Sequence, residues 1–288
     1  MYKRQGWKIS KRTIPFRITQ KDHSDEEYRD RLKEAIDSTM GSLTDLGNGE
    51  WVVPLSGGYD SRAILCLLKD SILGTESINT ITWGLEHTFE EEGNDAYVAR
   101  AVANELGTGH RFYLTEESDE SVSAIVDRFL LCVEGRSDHL SGYMDGMRIW
   151  SDLLGEGVAG LIKGDEGFGW LPVSSVPTVR YSIGCPLCSD YRNLSGVIEK
   201  FGLPQQDFPE DFKQKDESLE SWRDRLYHTW RIPSFIAAIS DIKFSYFEQI
   251  SPLLSRSILE KVKELPDSLR TGKRLFKEIV DRISPDIP

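Results

Sequence analysis

The sequence is poor in the features that mark several large protein classes. It has four cysteines in 288 residues, too few for a disulfide framework. No apolar run is long enough to span a bilayer, and no signal peptide opens the chain. Basic charge is in deficit: 35 Lys and Arg face 47 Asp and Glu, a formal net charge of -12. A chain this acidic lacks the basic field that phosphate backbones and anionic lipid surfaces require, so neither a nucleic acid nor a membrane is an expected partner. The five histidines form no metal-ligand spacing, no G-x-S-x-G elbow of a serine hydrolase is present, and no repeat is visible. The expected compartment is the cytosol.

What is present is ample apolar material, 39% of residues, enough for one large core or two joined ones. HSDEEYRDRLKEAIDSTM reads as an amphipathic helix opened by a Ser24–Glu27 capping box, with Tyr28, Leu32, Ala35 and Ile36 on one face. EWVVPL, INTITWGL, HRFYL and GVAGLIKG read as strands. Between them, DSRAILCLLKD, NDAYVARAVANELG (closed by Gly107), ESVSAIVDRFLLCV and a stretch from about Leu140 to Leu154 read as helices. Alternating strands and helices predict an α/β fold: a parallel twisted sheet flanked by helices. After Trp170 the pattern becomes loop-rich, and from Ser218 helical patterns dominate. The α/β core is therefore assigned to 6–170 and a mainly helical part of the same unit to 171–288. Residues 1–5, MYKRQ, are what ATGTATAAGAGACAG encodes, a stretch resembling the transposase end used in DNA library preparation. They are read as a scar, and the natural chain is expected to begin further upstream.

The segment PLSGGYDSR, Pro54 to Arg62, carries the clearest chemistry. A strand, then Ser-Gly-Gly-x-Asp-Ser, then a helix makes a phosphate cradle. Bare glycines admit backbone N–H groups to an anion, and the helix start adds its free donors and partial positive charge. Ser56 and Ser61 supply hydroxyls. Asp60 repels phosphate directly and makes sense beside a Mg²⁺ ion. Neither the P-loop spacing nor the G-x-G-x-x-G turn is present. The bland alternative is a tight turn that uses Gly57 and Gly58 only for backbone freedom.

SGGYDS resembles the pyrophosphate loop of the N-type ATP pyrophosphatases, the PP-loop enzymes. Three further segments resemble the asparagine synthetase branch: Thr82–Tyr113, KGDEGFGW at Lys163–Trp170, and Phe247–Val280. The resemblance runs with gaps from about Asp25 to the C-terminus. It implies an adenine nucleotide alpha-hydrolase-like fold and an ATP-dependent amide-forming ligase. A carboxylate would be activated as an acyl-adenylate with release of pyrophosphate, then attacked by ammonia or another amine. ATP and Mg²⁺ are the implied cofactors. By the same resemblance, Leu55, Ser56, Gly57, Gly58, Asp60, Ser61, Arg62 and Gly164 bind the nucleotide. Asp60 and Asp165 hold the metal, with Glu166 as the alternative to Asp165. Lys273 meets the charge that builds on the phosphates, and Glu248 falls at the glutamate of the family's E-x-R-x-P-F-L motif, in a catalytic or a structural role.

Departures from the family are plain. The segment before the phenylalanine is shorter than the usual S-G-x-G-x-D-E. Arg62 replaces a small residue, to meet a phosphate or substrate carboxylate or to pair with a neighbour. The related β-lactam synthetases use a tyrosine–glutamate base, and no tyrosine here matches it. The glutaminase domain of glutamine-dependent relatives is missing from this chain. A fragment, a stand-alone ligase and a subunit fed by a glutaminase partner all remain open. So do a tRNA-modifying PP-loop enzyme and a nucleotide-binding relic with a decayed site. CPLC, Cys185 to Cys188, has the spacing of half a zinc site or of a redox pair, and no second pair exists. GRSDHLSGYMDGM, Gly135 to Met147, is either part of a substrate pocket or a capped loop.

Overall fold

The computed structural model describes residues 17–46, 49–71, 78–194, 196–206 and 213–285. The MYKRQ stretch lies outside them. The chain enters through α1 (Asp25–Gly41), whose capping box forms as expected: the Ser24 N–H donates to Glu27 at 2.8 Å and the Glu27 N–H to Ser24 Oγ at 3.2 Å. Strands and helices then alternate: β1 (Glu50–Pro54), α2 (Tyr59–Ser71), β2 (Asn79–Gly84), α3 (Asp95–Leu106), β3 (Gly109–Leu114), α4 (Val122–Val133), α5 (Arg148–Gly155) and β4 (Val158–Ile162). Gly107 closes α3 in the left-handed region at φ +66°, a C-cap that suits glycine.

All strand pairs are parallel, in the order β3-β2-β1-β4-β5. β5 (Glu248–Ile250) comes from the part read as helical. Three residues are too few to carry a period-two signal, so only their pairing with β4 reveals them as a strand. The chain winds outward from β1 to β3, then crosses to β4 on the other side of β1. That reversal opens a crevice at the carboxyl ends of β1 and β4, the ligand position of open α/β sheets.

Both faces of the sheet are covered, as near-continuous apolar strands require. Neighbouring side chains on β1 point to opposite faces. Val53 packs with α1, α2, α3 and the late helices α10 (Arg256–Val262) and α12 (Arg274–Ile283). Val52 packs with Phe129, Trp150 and Ile242, from α4, α5 and α9 (Ala237–Phe244). A smaller cluster joins α6 (Val176–Ser182) to α8 (Leu219–Leu226) through Val179 and Trp222. The short α7 (Val197–Phe201) precedes α8, and α11 (Asp267–Arg270) precedes α12. From Leu219 to Phe244 the helix is unbroken, but Tyr227–Ile236 is wound as a π-helix containing Pro233. Such wide turns gather at functional sites. Among the described residues no helix is long and apolar enough to cross a membrane.

Candidate active site

The loop after β1 is held by backbone and serines. Leu55 is buried, its N–H donating to the Ile81 carbonyl at 2.8 Å and its own carbonyl accepting from the Thr82 hydroxyl. It extends the strand and brackets the loop. The Ser56 N–H donates to Ser61 Oγ at 3.1 Å, the two hydroxyls lie 3.0 Å apart, and the Gly58 N–H reaches Ser56 Oγ at 3.2 Å. The glycines have separate reasons. A Cβ on Gly57 would lie 2.5 Å from Asp95 Oδ1 and 3.2 Å from Asp95 Cα, so the start of α3 demands that bare position. A Cβ on Gly164 would fall 2.8 Å from the Asp60 carbonyl oxygen and 3.0 Å from the Ser61 nitrogen. The segment after β4 thus rides directly on the first turn of α2.

That close approach closes one side of a cleft of about 300 Å³ at the carboxyl end of the sheet. The loop contributes Ser56, Asp60 and Ser61; the end of β4 contributes Lys163, Gly164, Asp165 and Glu166. Trp83, Trp150 and Trp170 form aromatic walls, and the long helix adds Tyr227 and Lys243. Lys273, at the start of α12, lies outside the cleft lining and contacts two of the carboxylates that line it. Its backbone is left-handed, φ +60°, and its amine lies 2.6 Å from both Asp60 oxygens and 2.9 Å from Glu166. It also sits 5.0 Å from the Trp170 ring centre, within cation–π range. Burial works against the Lys273 charge, but Glu166 and Asp60 outweigh it and raise its pKa.

Glu166 is buried, and burial with the Asp60 charge beside it pushes its pKa up to about 6 against the pull of Lys273. It also accepts from the Phe168 N–H. Asp165 is more open: it accepts from Ser251 at 3.0 Å and pairs with Lys163 at 2.8 Å. Of the two, Asp165 is the more exposed and Glu166 the buried one, and each is ion-paired, Asp165 with Lys163 and Glu166 with Lys273. Among the described residues no three His, Cys, Asp or Glu side chains gather as a metal cage. A Mg²⁺ carried by a nucleotide needs only one or two carboxylates beside the phosphates; Asp60 and Asp165 offer such hard oxygens on exchanging their lysine partners, Lys273 and Lys163, for the ion.

Two expected site residues lie elsewhere. Glu248 is exposed at the start of β5, paired with Gly160 rather than with the end of β4, and does not line the cleft. Its place in a matched motif did not fix its place in the sheet, because strand register sets which end a residue reaches. Arg62 follows Ser61 on α2, outside the cleft lining, where its charge acts on Tyr59 and Cys66.

Sequence reasoning missed Lys243, Tyr227 and Trp150. Lys243 sits 5.0 Å from the Trp150 ring centre. Burial and the neighbouring Lys163 lower its pKa to about 8. Burial raises the Tyr227 pKa, helped by Glu166, Asp165 and Asp60. None of these three stands in a local pattern that differs from an ordinary helix. Lys163, directly after β4, had a usable signal: the first residue past a central parallel strand lies at the crevice. Cys185 and Cys188 are free thiols. The Gly135–Met147 loop packs Tyr143 and Met147 into the core on the α4–α5 side, and none of its residues lines the cleft.

Residues 27–135 match the family model described as asparagine synthase, so the resemblance drawn from the motifs holds over that stretch. No curated protein matches the chain. Among solved structures, the U34-tRNA thiolase NcsA of Methanococcus maripaludis aligns over 90% of this chain and 80% of its own, at 15% identity and TM-score 0.34. The NH3-dependent NAD synthetase of Campylobacter jejuni aligns over 87% and 96%, at 14% identity and TM-score 0.31. Likeness at these scores does not bear on the chemistry of this cleft.

Proposed function

We propose that the protein is an ATP-dependent, amide-forming ligase. A substrate carboxylate displaces pyrophosphate from the α-phosphorus of ATP, and ammonia or another amine then opens the acyl-adenylate and releases AMP. The observation that carries this reading is the meeting of Asp60, Glu166 and Lys273 beside the Ser56–Ser61 loop, at the sheet's reversal point. The asparagine synthase match over residues 27–135 supports it.

In this reading the loop binds the departing phosphates through the Ser56 and Ser61 hydroxyls and the free donors of α2. Asp60 and Asp165 would hold Mg²⁺, which supplies charge neutralisation to the triphosphate. Lys273 is kept charged by its two carboxylates and stands ready to neutralise developing phosphate charge. Trp83 and Trp150 offer flat walls to a base or a substrate chain. Most of the protein's contribution is positioning and charge stabilisation. The amine arrives free or from a glutaminase domain or subunit.

Carboxylate-dependent exchange of pyrophosphate into ATP tests the reading, using aspartate and a panel of other acids with Asp60→Ala as control. Exchange that needs one acid and disappears in Asp60→Ala is the expected result. Exchange that ignores the acid, or survives Asp60→Ala, would sink the proposal.

A further inference from the structure

Behind the cleft lies an ionic cluster that is almost wholly buried. Arg223 and Arg270 are each 1% exposed and Asp224 is 4% exposed. Asp224 bridges them, accepting from Arg223 Nε at 2.8 Å and from Arg270 Nε at 2.9 Å. Arg270 also donates to Ser221 Oγ at 2.9 Å, to Asp267 and to the Leu265 carbonyl. Apolar side chains of similar size fill such a space at no greater cost, so burial alone does not explain two arginines here.

What arginine adds is a fork of donors, and the donors go to main chain that carries the site. Arg223 Nη1 donates to the Trp170 carbonyl at 3.1 Å and to the Leu171 carbonyl. The same Trp170 carbonyl accepts the Gly272 N–H at 2.8 Å. The residue after Gly272 is Lys273. On the other side, Gly169 lies so near Arg270 that a Cβ would be 2.5 Å from the Arg270 carbonyl oxygen. One carbonyl therefore joins the segment after β4, which bears Glu166 and Trp170, to the turn that bears Lys273.

We infer that Arg223, Asp224 and Arg270 are positioning residues, which hold the Trp170 segment and the Lys273 turn in register at the phosphate loop. The left-handed backbone of Lys273, uncommon outside glycine, is fixed by this tie. The effect on turnover presupposes the ligase reading above; the effect on Lys273 itself does not.

Lysine-by-lysine labelling with an amine reagent, quantified by mass spectrometry on the intact chain, reads the position of Lys273 directly. In folded Arg223→Met, Lys273 labels several-fold faster than in wild type while the exposed lysines Lys200 and Lys215 keep their rates. Arg223→Lys keeps the charge but not the fork, and gives an intermediate rate. In the exchange assay, kcat falls on the order of 10²-fold with KM for ATP little changed. If Arg223→Met does not fold, Arg223→Lys carries the same two readouts. A folded variant with a lowered melting temperature but wild-type Lys273 labelling would overturn the inference and leave the cluster as core. Absence of exchange in the wild type removes the ligase reading alone, since the labelling still decides the positioning.

Discussion

Lys243 lines the cleft and Lys273 stands behind two of its carboxylates, Asp60 and Glu166, and the protein treats the two lysine charges in opposite ways. Lys273 has two carboxylates within 2.9 Å and a raised pKa. Lys243 lies over Trp150, near another lysine, with its pKa lowered to about 8. Burial opposes the charge in both. The difference is whether carboxylates surround the amine, which is what separates a fixed cation from one that titrates near neutrality. A fixed cation suits a phosphate whose charge persists through the reaction. An amine near its pKa suits a place where the charge of the occupant changes.

The largest expected break in this comparison is Lys273→Ala. Pyrophosphate exchange should fall by about 10²–10³-fold, and measurement of kcat on protein with wild-type circular dichroism checks it. Loss of less than tenfold would place the phosphate cation elsewhere. Lys243→Met should act on stability instead. At pH 7 the wild type holds Lys243 below its unfolded pKa, so the folded state binds that proton less tightly and is penalised. The penalty fades as pH rises from about 8 to 10.5. The variant should therefore melt above wild type at pH 7, with the gap narrowing from about pH 8 and closing above 10.5. A gap that does not change with pH would show that the amine is not desolvated.

Glu166→Gln sharpens the Lys273 side. The folded pKa of Glu166 is raised from 4.5 to about 6, so wild-type stability from this group is complete below 4.5 and is lost as pH rises through 6. The loss is about 2 kcal/mol, and Glu166→Gln should flatten that limb of a urea-midpoint profile. His228 supplies an internal contrast in the same window. Burial lowers its pKa from 6.5 to about 4, so its contribution is present above 6.5 and is lost as pH falls through 4. A His228→Gln profile should flatten in the opposite sense. Smallest of all, Glu248→Ala should change stability by no more than about 0.5 kcal/mol, as an exposed substitution does. A large loss of exchange in that variant would restore the catalytic role that its motif position suggested.

The Ser56–Ser61 loop was legible because its conformation is local. Ser56 to Ser61 make their own hydrogen bonds, and the strand and helix on either side are strong periodic signals. The order β1 to β4, the Ser24 cap and the Gly107 stop were legible for the same reason. β5 was not, because three residues carry no period, and the Arg223–Asp224–Arg270 cluster was not, because Arg270 stands 46 residues from Asp224 and all three look like surface charges.

The sequence by itself determined an α/β sheet with a glycine-bearing loop between its first strand and the next helix, since pattern, caps and turn chemistry act over a few residues. Only the tertiary structure decided which charges face which. It put Lys273 against Asp60 across 213 positions of chain, left Glu248 at the sheet edge, and brought Lys243 to the cleft. Ionisation depends on burial and on neighbours within a few ångströms, and those neighbours are chosen by packing, not by order along the chain.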